Sequence, residues 1–246
     1  MALPLLYKNV LPVRKDLLFG VRVTAEPPHY GFAARVNNLP VFGGEFPVAC
    51  LHYPIAFARV HENEHAVTPI LLLGMSDQGN LFLDREGRWR VPYIPAYVRR
   101  YPFILGERMT NGEIAVYVES AGLRYDGEGE VLYTDAGNST PFLDGTLEFL
   151  RVCQEWQDRT LDFTSRLIAL DLLVEREINL ELSEGLSHSL RGILVVDEER
   201  LNILDDEPLL DLFRAGYLGW IYSHLYSMAN LNRMIGYSQA EAMGMG

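Results

Sequence analysis

The sequence is poor in cysteine, and this shortage limits what the chain can build. Its 246 residues contain two cysteines, Cys50 and Cys153, which lie about a hundred residues apart. Neither has a second cysteine or a histidine at metal-ligand spacing, so the pattern favours no disulfide framework and no metal cluster. Free cysteine commonly behaves as a small apolar side chain. We therefore expect both thiols to be reduced and buried in the core.

Positive charge and long apolar runs are also lacking. The formal net charge is −12, which argues against nucleic-acid binding and membrane-surface binding, because both need a basic face. No window approaches ~18 consecutive apolar residues, the length needed to span a bilayer. The first twenty residues have no basic segment ahead of an apolar run of signal length. These features predict a cytoplasmic protein without membrane insertion.

Complete catalytic and nucleotide-binding motifs are missing. There is no GxSxG elbow, and the glycines lack phosphate-cradling spacing. The segment His61–His65 matches HExxH, which binds zinc only on a helix, where both imidazoles share one face. Its flanks are strand-like and Pro69 follows closely. We interpret it as a polar hairpin tip, and we expect no metal site and no cofactor.

The first 140 residues show short apolar runs separated by turn clusters, which is typical of antiparallel strands. Short helices are expected at Glu45–His52 and from Pro95 to Arg100, since proline fits a first helical turn. The runs of strand length are Thr68–Met75, Leu81–Asp84, Tyr101–Glu107 and Ile114–Ser120.

From Pro141 onward the apolar residues, among them Phe142 and Phe149, recur at helical spacing. Asn138, Ser139 or Thr140 can cap this helix. A hairpin of Ile178–Leu182 and Leu190–Val196 follows, and a closing helix is predicted from about Glu207 to Ile235.

Two features of the closing helix carry further expectations. Gly216 and Gly219 lie beside its apolar stripe, where glycine is unfavourable for a helix, so we expect another backbone to pack closely there. His224 lies on the stripe itself and is expected to be a buried, hydrogen-bonded histidine.

The predicted fold is α+β: an antiparallel β-rich N-terminal part with short helices, followed by two long helices flanking a β-hairpin. No repeat or linker divides the chain. We expect a single domain over residues 1–246, with a β-rich lobe at about 1–140 and a helical lobe at about 141–238.

The most unusual segment is WRVPYIPAYVRRYPF, Trp89–Phe103, which combines five aromatic residues, three prolines and the pair Arg99-Arg100. One interpretation is a recognition surface, because aromatic rings give large contact area and arginine binds carboxylates. The other is a structural connection in which the two arginines pair with surplus acidic residues. The sequence leaves both open.

Together with EFPVACLHYPIAF (Glu45–Phe57) and LFRAGYLGWIYSHLYSMANLNRMI (Leu212–Ile235), this segment resembles the SapC family of bacterial proteins, named after a gene associated with surface-layer formation. The resemblance runs over nearly the whole chain. It implies an accessory role in the bacterial envelope, and it brings no reaction, substrate or cofactor. Genes of this type often lie beside genes resembling flavin-dependent halogenases.

We expect a non-catalytic binding or accessory protein for a protein or peptide partner in surface-layer-like envelope assembly or protein modification. The alternative is an enzyme, or a partner of a flavin-dependent halogenase, with a small-molecule pocket near Tyr53 and Tyr93. The predicted binding surface is formed by Tyr93, Arg99, Arg100 and Tyr101 and supported by Glu45 and Tyr53.

Overall fold

The protein is described by a computed structural model that covers residues 5–24, 29–60, 63–75, 79–108, 114–181 and 187–243. Its strands are β1 Val10–Pro12, β2 Arg22–Val23, β3 Asn38–Pro40, β4 Ile55–Val60, β5 Asn63–Leu72, β6 Phe103–Arg108, β7 Ile114–Glu119, β8 Leu123–Arg124, β9 Glu130–Val131, β10 Leu173–Glu181 and β11 Ser187–Val196. Its α-helices are α1 Lys15–Leu18, α2 Phe46–Ala49, α3 Ala96–Arg99, α4 Pro141–Ala169, α5 Glu198–Asn202, α6 Asp206–Arg214, α7 Tyr217–Ser227 and α8 Leu231–Ala242. The predicted α+β class is confirmed.

The described strands form three antiparallel sheets. The largest has the order β10-β11-β4-β5-β3, and two three-stranded sheets have the orders β1-β7-β6 and β8-β2-β9. The hairpin β10–β11 joins the large sheet through Ile193 and Leu194, which pair with Ala58 and Phe57 of β4. The largest sheet therefore combines strands from both expected lobes, and the domain division stays a prediction.

Helix α4 connects the sheets. Thr140 caps it by accepting a hydrogen bond from the Leu143 amide, and Pro141 occupies the first turn, as predicted. Near its start, Leu143 and Leu150 pack with residues of the three-stranded sheets. Near its end, Phe163 and Leu167 enter the main core beside the five-stranded sheet. One helix of 29 residues thus bridges two apolar clusters.

The prediction of one continuous closing helix is wrong. This segment is divided into α6, α7 and α8, with a 3₁₀ turn at Met228–Asn230 between the last two. Gly216 separates α6 from α7 and has a φ of +78°, a left-handed conformation that suits glycine.

The expected close approach at Gly216 and Gly219 is also wrong, because a Cβ placed on either would meet no atom within 4 Å. The close approaches lie at Gly43, whose Cβ would stand 2.1 Å from the Trp220 ring, and at Gly44 beside Trp156. Gly216 thus separates two helices, whereas Gly43 and Gly44 make room for tryptophan rings.

The prediction that His224 is a buried, hydrogen-bonded histidine is confirmed. The residue is completely buried, its Nδ1 lies 2.8 Å from the Ile55 carbonyl oxygen, and its Nε2 accepts a hydrogen bond from the Val196 amide at 3.0 Å. Desolvation lowers its pKa to about 4. The neutral ring therefore connects α7 to β4 and to the end of β11.

Other predictions need smaller corrections. Cys153 is buried as expected, but Cys50 is only half-buried, and both thiols are free. The run Leu81–Asp84 forms a single bridge, Leu83 with Trp89, instead of a strand, because Asp84 turns the chain by accepting hydrogen bonds from Gly87 and Arg88.

The described part of the HExxH segment, Asn63–His65, lies at the start of β5. β4 and β5 form an antiparallel hairpin in which Val60 pairs with Asn63. His61 and Glu62 lie outside the described residues, as does the side chain of His65. The backbone from Asn63 onward is extended, which is incompatible with the helical spacing of the zinc motif. Among the described residues, no group of three histidine, cysteine or acidic side chains could hold a metal ion.

Candidate functional site

The segment Trp89–Phe103 folds into an irregular connection around the short helix α3. Pro95 precedes α3 as its N-cap, in agreement with the predicted short helix. The chain then turns at Tyr101 and Pro102 and enters β6 at Phe103. Ala96 and Val98 are buried whereas Arg99 is exposed, so α3 presents its cationic end at the surface of the protein.

The buried side chain of Glu45 holds the start of α3 in place. This side chain is only 2% exposed and accepts hydrogen bonds from the Tyr93 hydroxyl at 2.6 Å, the Ala96 amide at 2.7 Å and the Phe42 amide at 3.1 Å. Burial raises the pKa of this carboxyl group, and the three hydrogen bonds and the nearby Arg99 charge partly offset that effect. Glu45 therefore links the start of α3 to the turn before α2.

Tyr53 supports the same segment and has no exposed surface. Its hydroxyl donates to the Tyr93 carbonyl oxygen and accepts a hydrogen bond from the Trp89 indole. Both hydrogen-bonding functions of the hydroxyl are thus used inside the protein. Burial raises its pKa well above the ordinary value. Tyr53 and Glu45 are both buried beneath the segment that carries Arg99 and Arg100, and neither offers an exposed group to a ligand.

Arg99 bridges α3 and α4. Its Nε donates to the Ile94 carbonyl oxygen at 3.0 Å, and its guanidinium carbon lies 5.1 Å from the centroid of the Phe149 ring and 5.8 Å from that of Tyr93. These distances are within the range of cation–π attraction. The side chain is exposed, and it also hydrogen-bonds the Tyr93 side chain.

Arg100 is half-buried and stacks on Tyr97, with 3.7 Å between the guanidinium carbon and the ring centroid. Its Nε is buried without a hydrogen-bond partner within the described structure. Burial raises the pKa of Tyr7, and the charge of nearby Arg100 partly offsets this rise. Arg100 is therefore held by aromatic rings, with its planar group against Tyr97.

Neither arginine belongs to an ion pair among the acidic side chains that the structure describes. The ion pairs found there join other arginines to carboxylates, most of them at exposed positions. The interpretation in which surplus acidic residues neutralise the two arginines therefore finds no support among the described side chains.

Tyr101 completes the predicted set. It is half-buried and stacks on Phe32, with ring centroids 4.1 Å apart and planes at 16°. Tyr7 packs against its other side at 5.7 Å. Tyr93, Arg99, Arg100 and Tyr101 thus lie on one continuous segment, while Tyr53 and Glu45 lie below it. Whether these residues bind a partner stays a prediction.

A cleft of about 340 Å³ lies between this segment and the first turns of α4. It is lined by Arg99, Arg100, Tyr101, Pro102, Phe103, Pro141, Phe142, Gly145, Thr146, Phe149 and Leu150. The α4 side of this arginine–aromatic cleft was not predicted as part of a site. Phe142 and Phe149 belong to a helical apolar stripe, and such a stripe is usually assigned to the core. The available sequence signal was the pair of aromatic residues Phe142 and Phe149, which share one face of the predicted helix near its start.

The chemistry of this cleft combines cation and apolar surface. Two arginines line the cleft together with Tyr101, three phenylalanines, two prolines and Leu150, and Gly145 and Thr146 complete the lining. Arginine binds carboxylate oxygens through two parallel hydrogen bonds. Aromatic walls bury apolar groups with little loss of side-chain entropy. The arrangement is suited to an anionic ligand that also carries an apolar part.

The fold defines an α+β protein built on antiparallel sheets, with the arginine–aromatic cleft where α3 meets α4. The model of the SapC family matches residues 20–234. The chain therefore belongs to the SapC family. Comparisons with curated proteins and with solved structures gave no match. No helix in the described ranges is long and apolar enough to cross a membrane.

Proposed function

We propose that the protein is a non-catalytic binding or accessory protein that holds an acidic segment of a protein or peptide partner in the arginine–aromatic cleft. The observation that carries this proposal is the pair Arg99 and Arg100, which line the cleft and belong to none of the ion pairs formed by the described side chains. The family resemblance supports a setting in bacterial envelope assembly or protein modification, and we place this step in the cytoplasm, the location expected from the sequence.

Charge supports an acidic partner. The chain carries a net charge of −12, so most of its surface repels an acidic segment. Two neighbouring guanidinium groups in such a field form a local attractive site, which speeds encounter and sets the orientation of the partner. The same field weakens binding elsewhere on the surface, so specificity would come from both attraction and repulsion.

The supporting layer favours a preformed site. Glu45 holds the Ala96 amide and the Tyr93 hydroxyl, and Tyr53 holds Tyr93 and Trp89. Because these contacts are made without a partner, the segment carrying Arg99 and Arg100 needs little ordering when a partner binds. Preformed sites lose less conformational entropy on association.

Two buried residues of reactive type, His224 and Cys153, are enclosed in the fold, which is consistent with a non-catalytic function. His224 is enclosed and hydrogen-bonded at both ring nitrogens. Burial raises the pKa of the Cys153 thiol to about 11, so this cysteine is protonated and a poor nucleophile at neutral pH. Both groups stabilise the fold and offer no activated atom to a substrate.

The test is a quantitative affinity capture from the bacterial host with three forms of the protein: the wild type, R99A/R100A and R14A/R88A. The last is a matched control, because Arg14 and Arg88 are exposed, form surface ion pairs outside the cleft and change the net charge equally. Circular dichroism and urea unfolding establish that all three fold.

The proposal predicts a partner that the wild type and R14A/R88A retain and that R99A/R100A loses. With the purified partner, the loss of two charge-assisted contacts should raise the Kd at least about tenfold. Equal capture by all three proteins would contradict the proposal. Conversion of a substrate by the wild type would contradict its non-catalytic part.

A further inference from the structure

Gly145 lies in α4, on the wall of the arginine–aromatic cleft. It is the fifth residue of a 29-residue helix and is exposed. Glycine weakens a helix interior relative to alanine. A Cβ at this position would meet no atom within 4 Å, and the backbone is not in the left-handed region. Neither packing nor backbone conformation within the described structure accounts for this glycine.

The residues around Gly145 form the apolar part of the cleft. Phe103 and Phe142 contact each other with ring centroids 6.2 Å apart, and Leu150 is almost completely buried. Phe149 lies between this apolar part and the charged part, because the Arg99 guanidinium rests over its ring. The charged and apolar parts of the cleft therefore adjoin each other at Phe149.

We propose that the cleft recognises a two-residue feature of a partner polypeptide: an acidic side chain on Arg99 and Arg100, next to one large apolar side chain that enters between Phe103, Phe142 and Phe149. This inference rests on the proposed function and names its ligand class. Gly145 determines specificity in this arrangement, because its missing side chain lets the partner's chain approach α4 closely.

Size and charge favour this occupant over others. A volume of about 340 Å³ is at the lower end of ligand pockets, which span roughly 300–1,000 Å³. It admits one aromatic or branched aliphatic side chain with adjoining backbone and is too small for a helix or a second domain. The end of the cleft that is lined by Arg99 and Arg100 attracts a negative group. A glutamate or aspartate next to the apolar residue supplies that group.

The test begins with selection of a random dodecapeptide library displayed on phage against the wild-type protein. The expected result is enrichment of peptides in which Asp or Glu adjoins Phe, Trp, Leu or Ile. A synthetic labelled peptide with the enriched sequence is then compared with two variants, one with the acid changed to its amide and one with the apolar residue changed to Ala. Fluorescence polarisation should show at least a tenfold loss of affinity for each variant.

The protein variants separate the two parts of the cleft. In R99A/R100A the acidic peptide and its amide variant should bind equally weakly. Gly145→Ala should weaken the parent peptide and raise the midpoint of urea unfolding, since alanine favours the helix. Gly219→Ala is the matched control, because Gly219 is also exposed and helical with no atom within 4 Å of its Cβ position. It should leave peptide affinity unchanged.

The outcomes distinguish this inference from the proposed function. Enriched peptides that need the acid but tolerate Ala at the apolar position would overturn the two-part recognition and leave the acidic-partner proposal standing. Binding that is unaffected by R99A/R100A would overturn both. A selection without enrichment over a protein-free control, or full affinity in Gly145→Ala, would also overturn the inference. Competition by free benzoate alone, without peptide binding, would point to a small anion as the ligand and count against it.

Discussion

The buried ring of His224 makes the stability of this fold depend on pH. Its Nε2 accepts the Val196 amide proton, and its Nδ1 donates to the Ile55 carbonyl oxygen. Protonation of the ring would place an N–H group against the Val196 N–H and would bury a charge. Burial accordingly lowers the pKa of His224 from 6.5 to about 4.

The sign and size of the effect follow from this pKa. Between pH 6.5 and pH 4 the unfolded chain binds a proton at His224 and the folded protein does not, so stability is present above pH 6.5 and is lost as pH falls. One pKa unit corresponds to about 1.4 kcal/mol, so the whole interval is worth roughly 3 kcal/mol and the loss at pH 5 is about 2 kcal/mol.

Urea unfolding at pH 8 and pH 5 measures this difference. Other groups titrate as well: burial raises the pKa of Glu45, so its contribution has the opposite sign and is lost as pH rises. Comparison with His224→Gln removes these shared contributions. The variant should be less stable at pH 8, and its loss of stability between pH 8 and pH 5 should be smaller than that of the wild type by about 2 kcal/mol.

NMR of the histidine ring protons gives an independent value in the unmodified protein. His224 is expected to titrate near pH 4. A His224 signal that titrates near 6.5, or wild-type and variant stabilities that fall in parallel between pH 8 and pH 5, would refute it.

Three further predictions concern stability, each measured by urea unfolding. Glu45→Ala should destabilise by roughly 2–4 kcal/mol, because two amides and a tyrosine hydroxyl lose their buried acceptor; Glu45→Gln, which keeps one carbonyl oxygen, should cost less, and equal costs would contradict the network. Gly43→Ala should cost about 1–3 kcal/mol, since its methyl group overlaps the Trp220 ring, and an unchanged midpoint would argue against that packing. Gly216→Ala should cost about 1–2 kcal/mol because of its left-handed backbone, and a more stable variant would show that α6 and α7 join there.

Local features were predictable because neighbouring residues cause them. Thr140 and Pro141 mark the start of α4 through capping and a fixed φ. The neutral, satisfied state of His224 followed from its place on an apolar helical stripe. Asp84 and Gly87, by contrast, form a turn that interrupts a run of strand-like composition, so apolar composition alone predicted a strand where the structure has only a bridge.

Features that depend on distant contacts were not predictable in the same way. A glycine in a helical pattern is consistent with close packing or with a helix end, and at Gly216 the φ of +78° decides for the helix end. The arginine–aromatic cleft joins Arg99 to Phe149, residues far apart in the chain. Their proximity follows from α4 lying across the sheets, and no local pattern encodes it.

The central claim is that the cleft between α3 and α4 is the binding site for an acidic partner. The most direct measurement is an amide chemical-shift titration of the isotope-labelled protein with the selected acidic peptide. We expect the largest shifts on Arg99, Arg100, Tyr101, Phe103 and the α4 residues from Phe142 to Leu150, and we expect them to disappear in R99A/R100A. Shifts concentrated on the five-stranded sheet, or an unchanged pattern in R99A/R100A, would contradict it.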